Sequence, residues 1–424
     1  MSEKSSNQAT GTVSMRPFFT IWTGQAFSLL GSALVQFALV WWLTQTTGSA
    51  TVLALASMMA MLPQVLISPL AGALVDRWNR RQTMIVADGL IALSAVVLAV
   101  LYALGRVQTW HVYVVMFLRA AGGAFHWPAM QASTSLMVPE KHLTRVAGLN
   151  QALQGLAAIV APPLGAVLLD VLTVQTVLAI DVATAALAIL ALVLVRVPQP
   201  ARAAAAEGAS QGSVIADLRE GLRFLWGWPG MLIVIGIAMG VNLLLYPALS
   251  LQPLLVTKHF NGGALELAWL QSAFGIGFVA GGLTLGAWGG FKRRVLTGIL
   301  GLVLSGLGFA LVGLAPANAL WLAVGAMFLA GFMNVIVNGS MYAMLQALVP
   351  PEVQGRVFTV VLSGSGAMAP LGLAIAGPLA DALGERAWFV IAGAAMSAMG
   401  VGALAIPAVM QIEDSAVTRP LAGT

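Results

Sequence analysis

Long apolar runs are the feature that most limits what this chain can fold into. A helix needs about 20 mostly apolar residues to cross the hydrocarbon core of a bilayer, and runs of that kind follow one another through the sequence. They lie near 18–43, 50–74, 82–104, 111–138, 145–169, 174–196, 229–256, 265–289, 295–315, 319–348, 356–380 and 387–410. The pattern therefore predicts an all-α polytopic membrane protein with twelve transmembrane helices.

The composition narrows the classes of function as well. Only 8% of the residues are charged, whereas soluble domains carry roughly a quarter, so a water-soluble fold is excluded. The chain has no cysteine, which excludes disulfides, thiolate metal sites and cysteine nucleophiles. The sequence shows no His and carboxylate cluster with metal spacing and no Gly-rich phosphate loop ending in Lys-Ser or Lys-Thr. It therefore predicts neither an enzyme nor a bound metal or cofactor.

Basic residues indicate how the chain is oriented in the membrane. Cytoplasmic loops are enriched in Lys and Arg, and most basic residues of this chain fall on the side that holds both termini. Outside the membrane runs, only Arg106, Lys258 and Arg386 fall on the opposite side. Both termini are therefore predicted to be cytoplasmic. Because the basic residues lie at the ends of apolar runs and not on one face, no nucleic-acid partner is predicted.

A polar stretch in the middle of the chain divides it into two halves. It opens with Pro198 and Pro200 and ends in a segment with helical spacing suited to the membrane surface. We predict a cytoplasmic tail at 1–16, a six-helix half at 17–196, a linker with a surface helix at 197–228, a second six-helix half at 229–410 and a cytoplasmic tail at 411–424.

The two halves are related to each other in sequence. Residues 116–172 align without gaps to residues 327–383 at a constant shift of 211 positions. Such matches indicate a duplication, and parallel repeats of six helices form transporters whose halves rock around a central site. The matched positions include Val138-Pro139 with Val349-Pro350, Arg145 with Arg356 and Asp170 with Asp381.

The loop between the second and third runs carries the most specific motif, GALVDRWNRR from Gly72 to Arg81. At this point the chain resembles the major facilitator superfamily, whose hallmark here is Gly, three residues, Asp, Arg and a basic pair, with Asn79 replacing the usual second glycine. The resemblance implies that Asp76 lies at the start of the eleventh membrane helix near Arg356, where the helix dipole favours a carboxylate. A solvated positive loop is the alternative. The implied cytoplasmic gate consists of Gly72, Asp76, Arg77, Arg80, Arg81 and Arg356.

The fifth run resembles the antiporter motif of the same superfamily. Its small residues and proline are Gly148, Ala157, Ala161, Pro162 and Gly165, with alanine replacing two of the motif's glycines. Small residues let helices approach closely, and proline removes a backbone donor and bends a helix. The resemblance implies export in place of import.

Three charged residues lie well inside membrane runs, away from the ends of the runs. Such charges are costly, and they are functional candidates by default. Asp88 in the third run and Asp181 in the sixth are the candidate proton carriers, because a carboxylate can bind and release a proton whereas an arginine stays protonated. Arg119 in the fourth run resembles the helix-four arginine of drug exporters, and its estimated depth allows a pair with Asp181. A packing role remains the alternative for each of the three.

By resemblance, the first, fourth, seventh and tenth runs line a central cavity. Their polar and aromatic candidates are mostly neutral, which suits lipophilic or weakly cationic compounds better than multiply charged anions. A packing role is open for each of them, and His126, in the fourth run, fits an interior histidine better than a proton shuttle. The candidates for substrate contact are Gln25, Trp127, Asn242, Asn334 and Asn338.

The first 90 residues look like the macrolide efflux type of bacterial exporter, through residues 22–32 and the loop at 76–81. The resemblance implies a secondary active transporter of the bacterial inner membrane that exports amphipathic, drug-like small molecules, with a proton gradient as its energy source. Its partners would be a lipophilic small molecule, protons and the bilayer, with a monomer as the default state. An exporter of siderophores or other metabolites, a uniporter and a non-transporting sensor are the alternatives.

Overall fold

The structure is a computed structural model that describes residues 15–199 and 214–415. The linker residues 200–213 and most of the two predicted tails lie outside this part of the chain. For a few helical residues, Asp76 among them, the backbone is described but the side chain is not.

Helices make up nearly all of the described chain. Short turns with defined caps separate them: Ser49 Oγ accepts from Val52 N, Asn79 Oδ1 accepts from Gln82 N, and Gly48 has a φ of 56° that favours glycine. The helices are α1 Arg16–Thr47, α2 Ala50–Arg77, α3 Arg80–Ala103, α4 Thr109–Met137, α5 Glu140–Val171, α6 Val174–Leu194, α7 Val214–Trp226, α8 Pro229–Leu254, α9 Ala264–Trp288, α10 Arg294–Leu314, α11 Leu320–Leu348, α12 Pro351–Leu383, α13 Glu385–Leu404, α14 Pro407–Met410 and α15 Ile412–Ser415, with a π-helical turn at Leu255–His259 after α8.

The predicted fold class is confirmed, because the described chain is a bundle of long apolar helices. Eleven of them are long and apolar enough to cross a membrane. The helix α4 is also long, at 29 residues, but polar side chains such as Arg119 and His126 keep its hydropathy below that of the others. The exact number of twelve spans stays a prediction.

The helices pack in two groups that repeat the same pattern. In the first group, α1 packs on α5 and α6, α2 packs on α4, and α3 packs on α4 and α6. In the second group, α8 packs on α12 and α13, α9 packs on α11, and α10 packs on α11 and α13. The groups meet through α2 against α12 and α5 against α9. The segment boundaries assigned from the sequence stay predictions.

Close contact between α1 and α6 fixes the interior of the first group. A Cβ placed on Gly31 would collide with Thr184 Oγ1, and one placed on Gly24 would lie 3.2 Å from Ala188 Cα. Small residues permit this approach in a membrane, where packing replaces the hydrophobic effect as the force between helices. The result places Asp181 of α6 directly beside α1.

The bundle has two ends, which we name by their loops. The linker end holds the α2–α3 turn, the ends of α4 and α6, and the start of α12 against which α7 packs. The far end holds the α1–α2 turn at Gly48 and the end of α12.

Candidate functional site

A polar cavity lies inside the first helix group, between α1, α3 and α4. We call it the first-half cavity; its volume is about 330 Å³. Two of the five predicted substrate-contact residues, Gln25 and Trp127, line it. Asp88, Arg119 and His126 line it as well, so most of the polar chemistry of this group converges on one space.

Each carboxylate oxygen of Asp88 faces a different residue at the wall of this cavity. Gln25 Nε2 of α1 donates to Asp88 Oδ2 at 2.9 Å. His126 Nε2 of α4 lies 3.5 Å from Asp88 Oδ1. The residue is 5% exposed, which indicates a carboxylate that is largely buried yet borders open space.

Asp181 is fully buried behind Arg119. Arg119 Nη1 donates to Asp181 Oδ2 at 2.6 Å and Nη2 lies 3.5 Å from Oδ1, while Ser32 Oγ donates to Oδ1 at 3.2 Å. The pair joins α4 to α6, and Ser32 adds α1. A buried guanidinium and carboxylate compensate each other's charge when they are hydrogen-bonded in this way.

The other predicted substrate-contact residues lie in a second, separate cavity. This second-half cavity, of about 300 Å³, is lined by Asn242 of α8, by Asn334 and Asn338 of α11, and by other side chains that are mostly apolar. The amides bond partly within their own helices, since Asn242 Nδ2 donates to Ala238 O at 2.8 Å and Asn338 Nδ2 donates to Asn334 O at 2.9 Å. The five predicted residues are therefore divided between the two helix groups.

A third cavity, of about 440 Å³, lies between the two groups and is mostly apolar. We call it the central cavity. Ala157, Ala161 and Pro162 of the fifth-run motif line it. Gln36 lines both the central and the first-half cavity, and Tyr246 lines both the central and the second-half cavity, so the three spaces adjoin one another.

The remaining glycines of the fifth-run motif lie outside the central cavity. Gly165 packs against α1, because a Cβ there would lie 2.8 Å from the Phe37 ring. Gly148 is exposed near the linker end, with no atom within 4 Å of an added Cβ. The motif thus combines a close helix contact with part of a cavity wall.

Polar contacts join the two groups near the far end. Asp381, at the end of α12, accepts from Ala50 N at 2.7 Å, from Thr51 N at 3.0 Å and from Ser49 Oγ at 3.0 Å. A carboxylate thereby caps the first turn of α2 from the other group, where a negative charge is favoured. The hydroxyls of Ser57 and Ser250 meet at 2.7 Å further along the same interface.

The basic pair of the α2–α3 loop binds helix ends at the linker end. Arg80 Nη1 donates to Ala132 O of α4 at 2.8 Å, and Arg81 donates to Leu192 O and Val193 O of α6. In the second group, Arg294 Nη1 donates to Ala343 O, and 343 is 132 shifted by the same 211 positions. The two groups therefore repeat this anchoring contact as well as their sequence.

The other gate residues have different surroundings. Arg356 Nη1 of α12 donates to Glu220 Oε1 of α7 at 2.6 Å, and Gly72 and Arg77 lie in the last turns of α2, with Arg77 exposed. The side chain of Asp76 lies outside the described residues, so its predicted contact with Arg356 stays a prediction.

Sequence reasoning gave too little weight to two features of this arrangement. His126 lies in the interior of the bundle, and its Nε2 is 3.5 Å from Asp88 Oδ1 at the wall of the first-half cavity, a neighbour that the sequence did not indicate. Asp381 appeared only as a matched position of the internal repeat, and its contact with the start of α2 depends on which helices of the two groups meet. Within the described ranges, no group of three His, Asp or Glu residues is placed to hold a metal ion.

Comparison with known proteins gives consistent matches. The model of the family described as Major Facilitator Superfamily matches residues 21–372 and 231–417. Macrolide efflux protein A of Streptococcus pyogenes is 34% identical over 376 residues, covering 89% of this chain and 92% of that protein. The protein of the same name from Enterococcus faecalis is 32% identical, covering 77% of this chain and all of that protein. Multidrug efflux pump Tap of Mycolicibacterium fortuitum is 29% identical, covering 90% and 94%.

Solved structures show the same fold at low sequence identity. The nucleoside transporter NupG superposes with a TM-score of 0.70 at 13% identity, covering 92% of this chain and 99% of that one. A POT family transporter in complex with a thioalcohol-conjugated peptide gives a TM-score of 0.71 at 12% identity, covering 95% and 97%. A bacterial homologue of the human lysosomal transporter Spinster gives 0.66 at 13%, with the same coverage.

Proposed function

Because the chain belongs to the major facilitator superfamily, we propose that it is a secondary active transporter that exports amphipathic, drug- or macrolide-like small molecules from the cytoplasm. The observation that carries the proposal is its similarity, at 34% identity over most of both chains, to a protein named for macrolide efflux. The multidrug efflux pump Tap, which matches over 90% of the chain, supports the same class of substrate.

The cavities suit such substrates. The central cavity is mostly apolar, and the amide and indole groups of Gln25, Trp127, Asn242, Asn334 and Asn338 lie in the two cavities that adjoin it. A small-molecule site is commonly an apolar space with a few convergent polar groups. An amphipathic molecule seated across the three spaces would contact both helix groups.

The described conformation supports alternating access. The basic loops predict that the linker end is cytoplasmic, and the first-half and second-half cavities extend toward that end through Gln131 and Arg294. The polar contacts of Asp381 and of Ser57 with Ser250 join the groups on the far side. In this state a substrate would enter from the cytoplasm, and export requires that the far-side contacts break while the linker-end gate, with Asp76 and Arg356, closes.

The buried acids supply a means of coupling to protons. Asp88 and Asp181 lie within membrane helices, together with Arg119, at or beside the first-half cavity. Ionisable groups at such depth mark proton or substrate pathways. We infer proton antiport in the inner membrane of a bacterium, with both termini in the cytoplasm.

Growth and accumulation measurements test the proposal. The chain would be expressed in a bacterium that lacks its main drug exporters, and the accumulation of a radiolabelled macrolide would be followed with and without a protonophore. We expect resistance and reduced accumulation, both abolished by the protonophore. Normal accumulation across a panel of amphipathic drugs, with a membrane-inserted protein, would reject drug export and direct attention to siderophores or other metabolites.

A further inference from the structure

The two buried acids of the first helix group lie in different surroundings, and this difference separates their roles. Granted the proton antiport proposed above, we propose that Asp88 and His126 together carry the coupled proton, whereas Asp181 and Arg119 form a permanently ionised pair. His126 thereby gains a role in coupling that the sequence analysis did not give it.

The surroundings of Asp181 oppose a role as proton carrier. Its exposed fraction is 0%, and it is not part of the wall of the first-half cavity. Arg119, which remains charged at all relevant pH values, donates to it at 2.6 Å. A proton on Asp181 would leave the guanidinium of Arg119, whose side chain is only 10% exposed, without its counter-charge. Removing one partner of a largely buried pair is strongly unfavourable.

Asp88 has both the access and the partner that a proton carrier needs. It borders the first-half cavity, so a proton can reach it from water. One oxygen is held by Gln25, which leaves Oδ1 facing His126 Nε2 at 3.5 Å. That nitrogen is buried and makes no hydrogen bond in the described structure. A shared proton would draw His126 slightly closer to Asp88, and the hydrogen bond formed between them would satisfy both groups.

The chemistry of the pair is a single proton shared by two basic sites. In the loaded state the proton lies on His126 Nε2 or on Asp88 Oδ1, and both forms have the same total charge. When it leaves to the cytoplasm, an ionised carboxylate remains beside a neutral imidazole, and the net charge of the pair falls by one. This change acts between α3 and α4. The other charged or polar groups that face Asp88 are Gln25 of α1, Arg119 of α4 and Asp181 of α6.

Transport by purified protein in liposomes distinguishes the two acids. Counterflow of a radiolabelled macrolide measures exchange without a gradient, and efflux under an imposed pH gradient measures coupling, while a pH dye in the lumen records proton movement. The variants are Asp88→Asn, His126→Gln and the double variant Arg119→Gln with Asp181→Asn, which removes both charges at once. Asp170→Asn and His142→Gln are matched controls away from the cavities.

We expect Asp88→Asn to retain measurable counterflow but to lose acceleration by the gradient and proton movement. In His126→Gln, the pH at which gradient-driven efflux is half-maximal should shift by about half a unit or more, because a titrating partner is lost. In the double variant, the imposed pH gradient should still accelerate efflux. Both controls should match the wild-type protein.

Several results would overturn the proposal. Gradient-driven efflux in Asp88→Asn would do so, as would an unchanged pH profile in His126→Gln. If the double variant does not fold, infrared spectroscopy decides: a pH-dependent carboxylic-acid band that persists in Asp88→Asn would place the proton elsewhere. Counterflow in the wild-type protein without any effect of the gradient would instead refute proton antiport itself.

Discussion

At the scale of single residues, the fully buried carboxylate of this bundle is paired with a charged side chain from another helix. Arg119 of α4 meets Asp181 of α6, and Ser32 of α1 completes the set. The ion pair links α4 and α6 directly, and both of these helices also pack on α3. The pair therefore also fixes how α4, α6 and α1 are rotated against one another.

This arrangement predicts an asymmetry between single and double variants. Asp181→Asn alone should lower the stability of the protein by about 3–5 kcal/mol, because it leaves the guanidinium of Arg119 buried and unpaired. Replacing both residues, Arg119→Met with Asp181→Leu, should recover most of that loss. Thermal unfolding of the purified variants in detergent measures the difference, and a double variant no more stable than Asp181→Asn would contradict the interpretation.

At the scale of elements, hydropathy located the helices well but could not orient them. Apolar runs predict where a helix crosses the bilayer, and the helices begin and end close to the predicted runs. They do not predict which face of α3 meets α4, so the position of Asp88 opposite His126 had no sequence signal beyond the presence of two ionisable residues. The division of the asparagines and Gln25 between two cavities was hidden for the same reason.

The loop between α2 and α3 combines two roles that substitutions can separate. Arg80 and Arg81 bind carbonyl groups at the ends of α4 and α6, which holds the first group together. Asp76, one turn earlier in the chain, is the residue that the family resemblance assigns to the gate. The observed anchoring and the predicted gating thus involve different residues of one motif.

Asp76→Asn should therefore impair transport without preventing membrane insertion, because it removes a charge and almost no volume. Drug accumulation in cells and the amount of protein in isolated membranes are the two measurements. Arg81→Ala is the comparison variant, and it should reduce the amount of folded protein because the last carbonyls of α6 lose their donor. Normal export by a normally inserted Asp76→Asn protein would contradict the gate assignment.

At the scale of the whole molecule, the two groups repeat both sequence and contacts. Arg80 on Ala132 has its counterpart in Arg294 on Ala343. The symmetry is incomplete at the far end, where Asp381 caps α2 but the start of α9 is capped by its own Glu266, which accepts from Gly263 N at 2.8 Å. The contact of α12 with α2 thus includes a charged side chain from the other group, whereas the start of α9 is capped from within α9 itself.

Orientation of the whole molecule is the first property to test at this scale. Reporters fused after Val107 and after Gly212 should report periplasm and cytoplasm respectively, because the distribution of basic residues predicts that the linker end is cytoplasmic. A phosphatase and a fluorescent protein serve as opposed reporters at each site. The reverse pattern would overturn the orientation and, with it, the assignment of the open end to the cytoplasm.

The contact of Asp381 with α2 predicts how the equilibrium between conformations responds to one substitution. The carboxylate neutralises the partial positive charge at the start of α2, a contribution of about 1 kcal/mol at an exposed site. Asp381→Asn keeps one acceptor oxygen but removes the charge. The conformation in which the two groups separate at the far end should therefore gain roughly fivefold in population relative to the described conformation. Asp170→Asn, at the matched position of the repeat, should have no such effect.

Distance measurements between the two groups at the far end can detect this shift. The chain has no cysteine, so spin labels can be attached at Leu104→Cys and Leu314→Cys, at the far ends of α3 and α10, without removing native thiols. Double electron–electron resonance in lipid nanodiscs should show a longer distance gaining population in Asp381→Asn and not in Asp170→Asn. Identical distance distributions in the two variants would show that the carboxylate of Asp381 does not hold the far end closed. That task would then fall to the hydroxyl contact between α2 and α8 and to the packing of α2 against α12.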